Sequence, residues 1–371
     1  MTTPSNPWLL TLALAESAIG LSDPNPRVGC LIVSADGLTA LGRGHTQAAG
    51  GPHAEVMALR DAQARGADVR GATVYVTLEP CAHHGRTPPC CDALIAAGVG
   101  RVEIAAGDPN PLVDGRGSAR IAAAGIAIGR APQDIAQRAR ELNIGFFSRM
   151  ERGRPWVRMK IAASMDGRTA LPDGRSQWIT GEAARADGHA WRRRAGAVLT
   201  GIGTVLADDP SLDVRLVPTA RQPLRCVVDA RLETPATARL FEGGSPTVLY
   251  TASTAADRKS DLQARGGVVV AVPARADGRL DLGAVIDDLA GRGVNELHVE
   301  AGARLNGALL EAGLVDELLL YVAPTLLGAG RDMATFGPLP AIAAALRFEF
   351  ESAVRIGADL RVVARKAPAA A

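Results

Sequence analysis

Through the first 143 residues, short aliphatic runs alternate with segments in which apolar residues recur every three or four positions. The first kind of segment reads as strand and the second as helix. Residues 28–34 form a strand-like run after the Pro24-Asn25-Pro26 turn, and 53–65 carry Val56, Ala58 and Leu59 at helical period. Thr73–Leu78 is a second β-rich run, ending at Glu79-Pro80-Cys81. Residues 90–97 read as a helix closed by Gly98, 102–106 as a strand, 121–124 and 126–128 as a short helix and strand, and 133–143 as a helix. The apolar stretch 8–14 reads as a first helix, with Ser5 or Asn6 at its cap, Pro7 in its first turn and Gly20 at its end. Such alternation predicts an α/β domain, a sheet with helices on both faces.

The polar, broken stretch Arg149-Met-Glu-Arg-Gly-Arg-Pro155 reads as a linker, which places one domain at 1–148 and a second at 155–371. The second series has strand-like runs at 156–162, 197–200, 224–229, 247–250, 268–272, Glu296–Val299 and 317–322. It is a separate α/β domain with its own sheet, without an internal repeat. The tail 366–371 is expected to fray.

Composition narrows the function classes. Of 371 residues, 47% are hydrophobic but only 4% aromatic, so the cores are built from Ala, Val, Leu and Ile. A net charge of +2 argues against coating a nucleic acid. No apolar run reaches membrane-spanning length. The start lacks the basic segment of a signal peptide, and Glu16 interrupts it. Five cysteines, three of them within 81–91, make no disulfide framework and point to metal in a reducing compartment. A cytoplasmic protein is expected.

The candidate chemistry is a split metal motif. His53-Ala54-Glu55 precedes Pro80-Cys81 and Cys90. One imidazole and two thiolates supply three of the four ligands of tetrahedral zinc and leave a position for water. Zinc lowers the pKa of bound water to about 7, and Glu55 is placed in sequence to carry its proton. His-x-Glu followed by Pro-Cys is the order of the zinc deaminases. A structural site would need a fourth ligand; Cys91, His83 and His84 are near in sequence, but Cys91 directly follows Cys90 and should point away from it.

The insert Pro80-Cys-Ala-His-His-Gly-Arg-Thr-Pro-Pro-Cys90 resembles the deaminase half of the bifunctional riboflavin-biosynthesis deaminase/reductases. Asn25-Pro26-Arg27-Val28-Gly29 and Gly44-His45 resemble the same family. The resemblance implies a cytidine-deaminase-like three-layer domain in which His53, Cys81 and Cys90 bind Zn2+, Glu55 is the proton carrier and Asn25 lies near the base. Asn25 read alone is equally a turn residue before Pro26, and His45 either lines the pocket or is a satisfied core histidine.

In the second domain the Gly201-Ile-Gly203 and Gly328-Ala-Gly330 patterns fail the dinucleotide fingerprint. Lys160-Ile-Ala-Ala-Ser-Met-Asp-Gly-Arg168, Ser176-Gln-Trp178-Ile-Thr180, Gly201-Ile-Gly-Thr-Val-Leu-Ala-Asp-Asp-Pro210, Ser211-Leu-Asp-Val-Arg215 and Val299-Glu-Ala-Gly-Ala-Arg304 are similar to the family's reductase half. That half resembles dihydrofolate reductase and uses NADPH. The resemblance implies that Ala162, Trp178, Thr204, Asp208 and the segment Gly302, Ala303, Arg304, Leu305, Asn306, Gly307 bind the cofactor. Backbone N–H groups where that segment opens a helix suit a phosphate. It also implies that Ser176, Arg192, Leu212, Arg215 and Glu300 bind substrate. Guanidinium groups suit a phosphate and a carboxylate suits sugar hydroxyls; alternatively, Arg192 belongs to a solvated helix face and Glu300 caps a strand. Asp166 and Lys160 are candidates for a proton donor.

The expected activity is hydrolytic deamination of 2,5-diamino-6-(5-phosphoribosylamino)pyrimidin-4(3H)-one, then NADPH reduction of the product's ribosyl chain to ribityl. The partner is a small phosphorylated pyrimidine, with neither nucleic acid nor membrane, and the enzyme is expected to be a homo-oligomer. The alternatives are another nucleobase or nucleic-acid zinc deaminase with a degenerate accessory domain and a non-catalytic zinc module. A nucleic-acid deaminase would need a basic or aromatic channel, which the composition does not offer.

Overall fold

A computed structural model of the chain describes residues 6–82, 88–111 and 113–367, so Ser5, His83 and His84 lie outside the described residues. It divides into two compact units, Met1–Gly153 and Arg154–Ala371.

The first unit runs α1 (Pro7–Glu16), β1 (Gly29–Val33), β2 (Ala40–His45), α2 (Ala54–Ala64), β3 (Thr73–Leu78), α3 (Cys90–Ala96), β4 (Arg101–Ala106), α4 (Arg116–Ala123), β5 (Ala127–Arg130), α5 (Gln133–Leu142) and α6 (Ile144–Arg152). Asn6 caps α1 by accepting from the Trp8 N–H at 3.0 Å, the arrangement expected for a short polar residue ahead of Pro7. The sheet order is β2-β1-β3-β4-β5. β1 is antiparallel to β2 and β3, whereas β3, β4 and β5 are parallel. Alternation along the strands sends residues to opposite faces. Ala105 and Tyr75 meet Trp8, Leu12 and Ile135 of α1 and α5, while Val74, Val76, Val102 and Ile104 meet Ala54, Ala58, Leu94, Ile121, Phe146 and Phe147 on the other side.

β2 and α6 were not expected. β2 is rich in glycine, which hides its strand period, but Gly42 and Gly44 are where α2 lies against the sheet. A Cβ at Gly44 would come 2.2 Å from the Ala54 carbonyl oxygen, and one at Gly42 would come 2.2 Å from that of Ala58. The supposed linker 149–155 is mostly the last turn of α6, which ends at Gly153 in the left-handed conformation (φ 70°). Phe146 and Phe147 hold α6 in the core, and the Asn143 side chain, at the junction with α5, accepts from the Arg27 N–H at 2.7 Å.

The second unit runs β6 (Trp156–Ser164), β7 (Arg168–Ala170), α7 (Glu182–Arg194), β8 (Ala197–Gly201), α8 (Ile202–Asp208), β9 (Leu224–Val228), β10 (Thr247–Thr251), α9 (Ala256–Ala264), β11 (Gly267–Ala271), α10 (Leu282–Gly291), β12 (Glu296–Val299), α11 (Ala303–Glu311), β13 (Glu317–Ala323), β14 (Arg331–Asp332), β15 (Phe348–Ile356) and β16 (Asp359–Lys366). Its large sheet has the order β11-β10-β9-β8-β12-β6-β13-β16-β15. β11 through β13 are parallel, and β16 and β15 close the sheet as an antiparallel hairpin. α10 and α11 cover one face and α7, α8 and α9 the other. The hairpin was missed because its outward side chains, Phe350 and Val354 among them, are apolar and exposed.

Arg158 on β6 is buried between two carboxylates. Its Nη1 lies 2.7 Å from Glu296 Oε2, its Nε bonds Glu317, and its guanidinium lies 4.4 Å from the centre of the Trp191 ring. Glu296 and Glu317 also pair with Arg194 and Arg365. Four strands and α7 are thus tied at the end of the sheet where β6, β12 and β13 begin. Among the described residues no helix is long and apolar enough to cross a membrane.

The close approach at Gly44 makes a direct prediction. Gly44→Ala should push α2 off β2, cost roughly 1–3 kcal/mol and lower the first unit's melting temperature by several degrees. It should also weaken metal retention, because His53 and Glu55 sit at that end of α2. Calorimetry with metal analysis checks both; an unchanged melting temperature would contradict the tight approach.

Candidate active sites

His53 is the residue preceding α2, in extended conformation (φ −77°, ψ 170°), and its side chain makes no cap bond to the helix. The imidazole is therefore available to face inward. Glu55 follows in the first turn and is 3% exposed. Cys81 lies just beyond β3, and Cys90 opens α3. The Cys90 N–H points at Cys81 Sγ at 3.4 Å, and the Cys91 N–H donates to the Cys81 carbonyl at 3.2 Å. His53 Nδ1 lies 3.6 Å from Cys81 Sγ and 3.4 Å from Cys90 Sγ. The three ligand atoms all fall within 4.8 Å of one another.

Tetrahedral zinc with Zn–S near 2.3 Å and Zn–N near 2.0–2.1 Å separates its nitrogen and sulfur ligands by about 3.6 Å. The observed spacings, and a donor set of one imidazole and two thiols, fit that ion. Cys91, considered as a fourth ligand, is turned into the core; its thiol is pushed up to about 11 by burial. His45 is half-buried opposite Gly29 on β1.

The thiols polarise one another. The bond from Cys90, with help from His53, brings Cys81 down to about 4, and the same contact pushes Cys90 up. The bond to Cys81 raises His53. Burial brings Glu55 up to about 7. Beside these groups is a cavity of about 410 Å³, whose lining includes Asn25, Thr46, His53, Glu55, Cys81 and Asp108. That volume is in the range of small-molecule sites. Asp108 is itself pushed up to about 6, again by burial. Glu79 fastens the neighbouring loop, accepting from the Ser118 N–H at 2.8 Å and the Gly115 N–H at 3.2 Å.

In the second unit the polar groups gather where β6, β8 and β12 end. Ligands in parallel α/β sheets bind outside such carboxyl ends. Glu300 follows β12 and is gripped by Arg192 of α7, with Nε–Oε1 at 2.7 Å and Nη2–Oε2 at 3.0 Å. Lys160 Nζ lies 3.9 Å from Glu300, and His298 Nε2 lies 3.4 Å from it. Burial alone would raise the Glu300 carboxyl, but Arg192 and Lys160 outweigh it and hold it well below the usual carboxylate range. Arg192 Nη1 also donates to the Asp213 carbonyl. His189 Nδ1 accepts from the Arg215 N–H at 3.2 Å; burial, with Arg192 and Arg215 nearby, lowers its pKa to about 4.

Two family models match the chain: the cytidine and deoxycytidylate deaminase zinc-binding region over residues 4–106, and the RibD C-terminal domain over residues 155–362. The riboflavin biosynthesis protein RibD of Escherichia coli K12 is 44% identical over 94% of this chain and 95% of its own length. The chain belongs to the RibD family of riboflavin-biosynthesis deaminase/reductases. Among solved structures, Acinetobacter baumannii RibD is 38% identical with a TM-score of 0.86, covering 97% of this chain and 98% of that one. The deaminase/reductase of Thermotoga maritima is 30% identical with a TM-score of 0.85, covering 97% of each chain. The two units are thus the cytidine-deaminase-like and RibD reductase domains, and the enzyme is a zinc-dependent deaminase joined to an NADPH-dependent reductase.

Within this RibD-family frame the structure gathers Asn25, His53, Glu55 and Cys81 around one cavity, with Cys90 behind them in the ligand cluster of His53 and Cys81. Arg192, Arg215 and Glu300 lie in one charged cluster through Asp213 and His189. Gly302 and Thr204 are neighbours: a Cβ on Gly302 would lie 4.0 Å from Thr204 Oγ1, with nothing nearer. α11 opens at Ala303 without a side-chain cap, so its first N–H groups and this uncrowded approach fit a dinucleotide phosphate.

Asn306 and Gly307 differ from the expectation, being buried on the inner side of α11. Asn306 Nδ2 donates to the Met333 carbonyl at 2.9 Å, and a Cβ at Gly307 would come 1.8 Å from the Thr335 carbonyl oxygen. The open part of that segment is its start, Gly302–Arg304. Ser176 and Ala162 are half-buried, Asp208 and Trp178 exposed, and Trp178 stacks on Arg185 at 4.5 Å. The Leu212 side chain is buried, its backbone at φ 50°. Asp166, considered as proton donor, accepts from the N–H groups of Leu327 and Gly328, 3.1 and 2.7 Å away; with the Ser164 hydroxyl these bonds bring it down to about 2, so it fastens a loop as a carboxylate.

Sequence reasoning missed Asp108, Asn110, Arg149, His189 and His298. Asp108-Pro-Asn-Pro111 follows β4 after Gly107, the position at the end of a parallel strand that could have marked it. His189 carries no local signal, since the fold brings Arg215 to it, whereas His298 lies two residues before its neighbour Glu300.

Glu55 supplies a test of this site. Its pKa is about 7 in the fold, against 4.5 for an ordinary glutamate carboxyl. A raised carboxyl keeps its proton in the folded state, so stability is lost as pH rises from about 4.5 to about 7, by an order of 3 kcal/mol. In chelator-stripped protein, Glu55→Gln should therefore melt higher than wild type at pH 8, with the gap closing at pH 5. Thermal melts at both pH values check it; an equal gap at both would contradict the assignment.

Proposed function

We propose that His53, Cys81 and Cys90 hold the zinc ion and that Glu55 moves protons in deamination of a 2,5-diamino-6-(5-phosphoribosylamino)pyrimidinone. The single observation that carries this is the buried Glu55 beside three ligand atoms within 4.8 Å of one another, with Glu55, His53 and Cys81 on the wall of one cavity. Zinc, when bound, supplies a water of lowered pKa. Glu55, poised near neutrality by burial, takes a proton from the attacking water and returns protons to the ring nitrogen and the departing ammonia. Asn25 offers a donor and an acceptor to the base edge. The cavity walls limit competing water and fix the ring against Glu55.

In the reductase half, NADPH supplies the hydride to the sugar carbon. Gly302–Arg304 and Thr204 bind its phosphate. Glu300, kept ionised and oriented by Arg192, accepts hydrogen bonds from the sugar hydroxyls. Lys160, beside Glu300 and with its pKa lowered by burial, is the group placed to pass a proton to the opening sugar; Asp166 is engaged in its loop. Arg215 takes the substrate phosphate, with Asp213 and His189 holding its position. Five buried, unpaired thiols suit a reducing cytoplasm. The long edge strand β15, with Phe350 81% exposed, supports a homo-oligomer.

Glu55→Gln should lower ammonia release by 10²–10⁴-fold, the usual range of a general acid–base, while zinc content and NADPH-dependent reduction of supplied product persist. Normal ammonia release would end the proton-carrier role. Glu300→Gln should do the reverse, slowing NADPH oxidation at least about tenfold, the worth of a charge-assisted hydrogen bond, with ammonia release unchanged. A single coupled assay, ammonia first and NADPH oxidation second, reads both.

A further inference from the structure

We infer that Arg149 anchors the phosphate of the deaminase substrate, an inference that rests on reading the cavity beside Glu55 as the deaminase site. Phe146, Arg149 and Met150 all line that cavity. Spaced three and four apart on α6, they share one helical face. The Arg149 guanidinium reaches the turn that presents Asn25, its Nη2 donating to the Pro24 carbonyl at 3.4 Å. Pro24, Asn25 and Pro26 line the cavity too. The cation is thus seated next to the residue proposed to bind the base.

Charge singles it out. Among the described lining residues Arg149 is the one lysine or arginine; the other ionisable side chains there are Glu55, Glu79, Asp108, His53 and Cys81. A phosphate entering this cavity meets, among the described lining side chains, one permanently charged cation, Arg149 on the α6 side. Its field orients the substrate, phosphate toward α6 and ring toward Glu55. Burial lowers the Arg149 pKa and Asp23 partly restores it. Asp23 is shared with Arg27, 3.8 Å away. A partly desolvated guanidinium gains from a doubly charged partner that it can meet with two parallel hydrogen bonds. The cavity volume of about 410 Å³ also exceeds what a bare pyrimidine ring fills.

The test compares the phosphoribosyl substrate with its dephosphorylated ribosyl counterpart, following ammonia release by the full-length zinc enzyme. Wild type should favour the phosphorylated compound. Arg149→Gln should lose about ten- to a hundredfold in kcat/KM for that compound, mainly through KM, with little change for the dephosphorylated one. Arg149→Lys should recover part of the loss, and ribose 5-phosphate should inhibit wild-type deamination but not that of Arg149→Gln. Zinc content and NADPH-dependent reduction, unchanged in both variants, certify the fold; should the glutamine variant misfold, the lysine variant and the ribose 5-phosphate competition on wild type decide the matter. Equal losses for both compounds, or no loss for either, would overturn the assignment. Wild type that releases ammonia from neither compound would instead overturn the deaminase reading on which it rests.

Discussion

The approach of α2 to β2, with only glycine hydrogens between them at Gly42 and Gly44, is the constraint on which the zinc-site geometry depends. It sets the height of His53 and Glu55 above the sheet. The other half of the site comes from the opposite direction, where β3 ends at Glu79-Pro80-Cys81 and α3 begins at Cys90. Both halves are helix beginnings, so unpaired N–H groups and the positive ends of two helix dipoles face one point. The Cys90 N–H at 3.4 Å from Cys81 Sγ is one visible part of that field. The same arrangement would stabilise thiolates and a metal-activated water. Glu79 and Gly117 brace it, since α4 packs against the Pro80 carbonyl so closely that a Cβ at Gly117 would come within 1.9 Å.

The reductase half solves a different problem. Glu300 is mostly buried, and Arg192 and Lys160 together outweigh its desolvation and hold it ionised. Arg192 also reaches the Asp213 carbonyl, so one guanidinium positions the carboxylate and the loop that carries Leu212 and Arg215. His189 and Gln222 hold the same loop by bonds to Arg215 and Val214. At the other end of these strands, Arg158 between Glu296 and Glu317 fixes β6, β12 and β13 against one another. Breaking such a buried network strands uncompensated charge, which makes partial rearrangement unfavourable. The ligand-facing ends of the strands are therefore carried on a rigid base.

By itself, the sequence placed His53, Glu55, Cys81 and Cys90 in the order expected of zinc chemistry, with the long insert before Cys90. It also determined most strands, because Thr73–Leu78 or Glu296–Val299 are short aliphatic runs whose pattern needs no context. The glycine-rich β2 and the exposed hairpin of β15 and β16 were illegible, since their strand character comes from what they pack or pair with. The same holds for α6, whose polar end disguised a helix anchored by Phe146 and Phe147. Only the tertiary structure decided which ring nitrogen of His53 meets the thiols, that Asp108 and Arg149 share the cavity, that Asn306 and Gly307 face inward and that Asp166 is tied to its loop. Those facts depend on contacts between residues far apart in the chain, such as Arg192 and Glu300, and on burial, which sets the charge states of Glu55 and His189. Neither distance nor burial is written in local residue order.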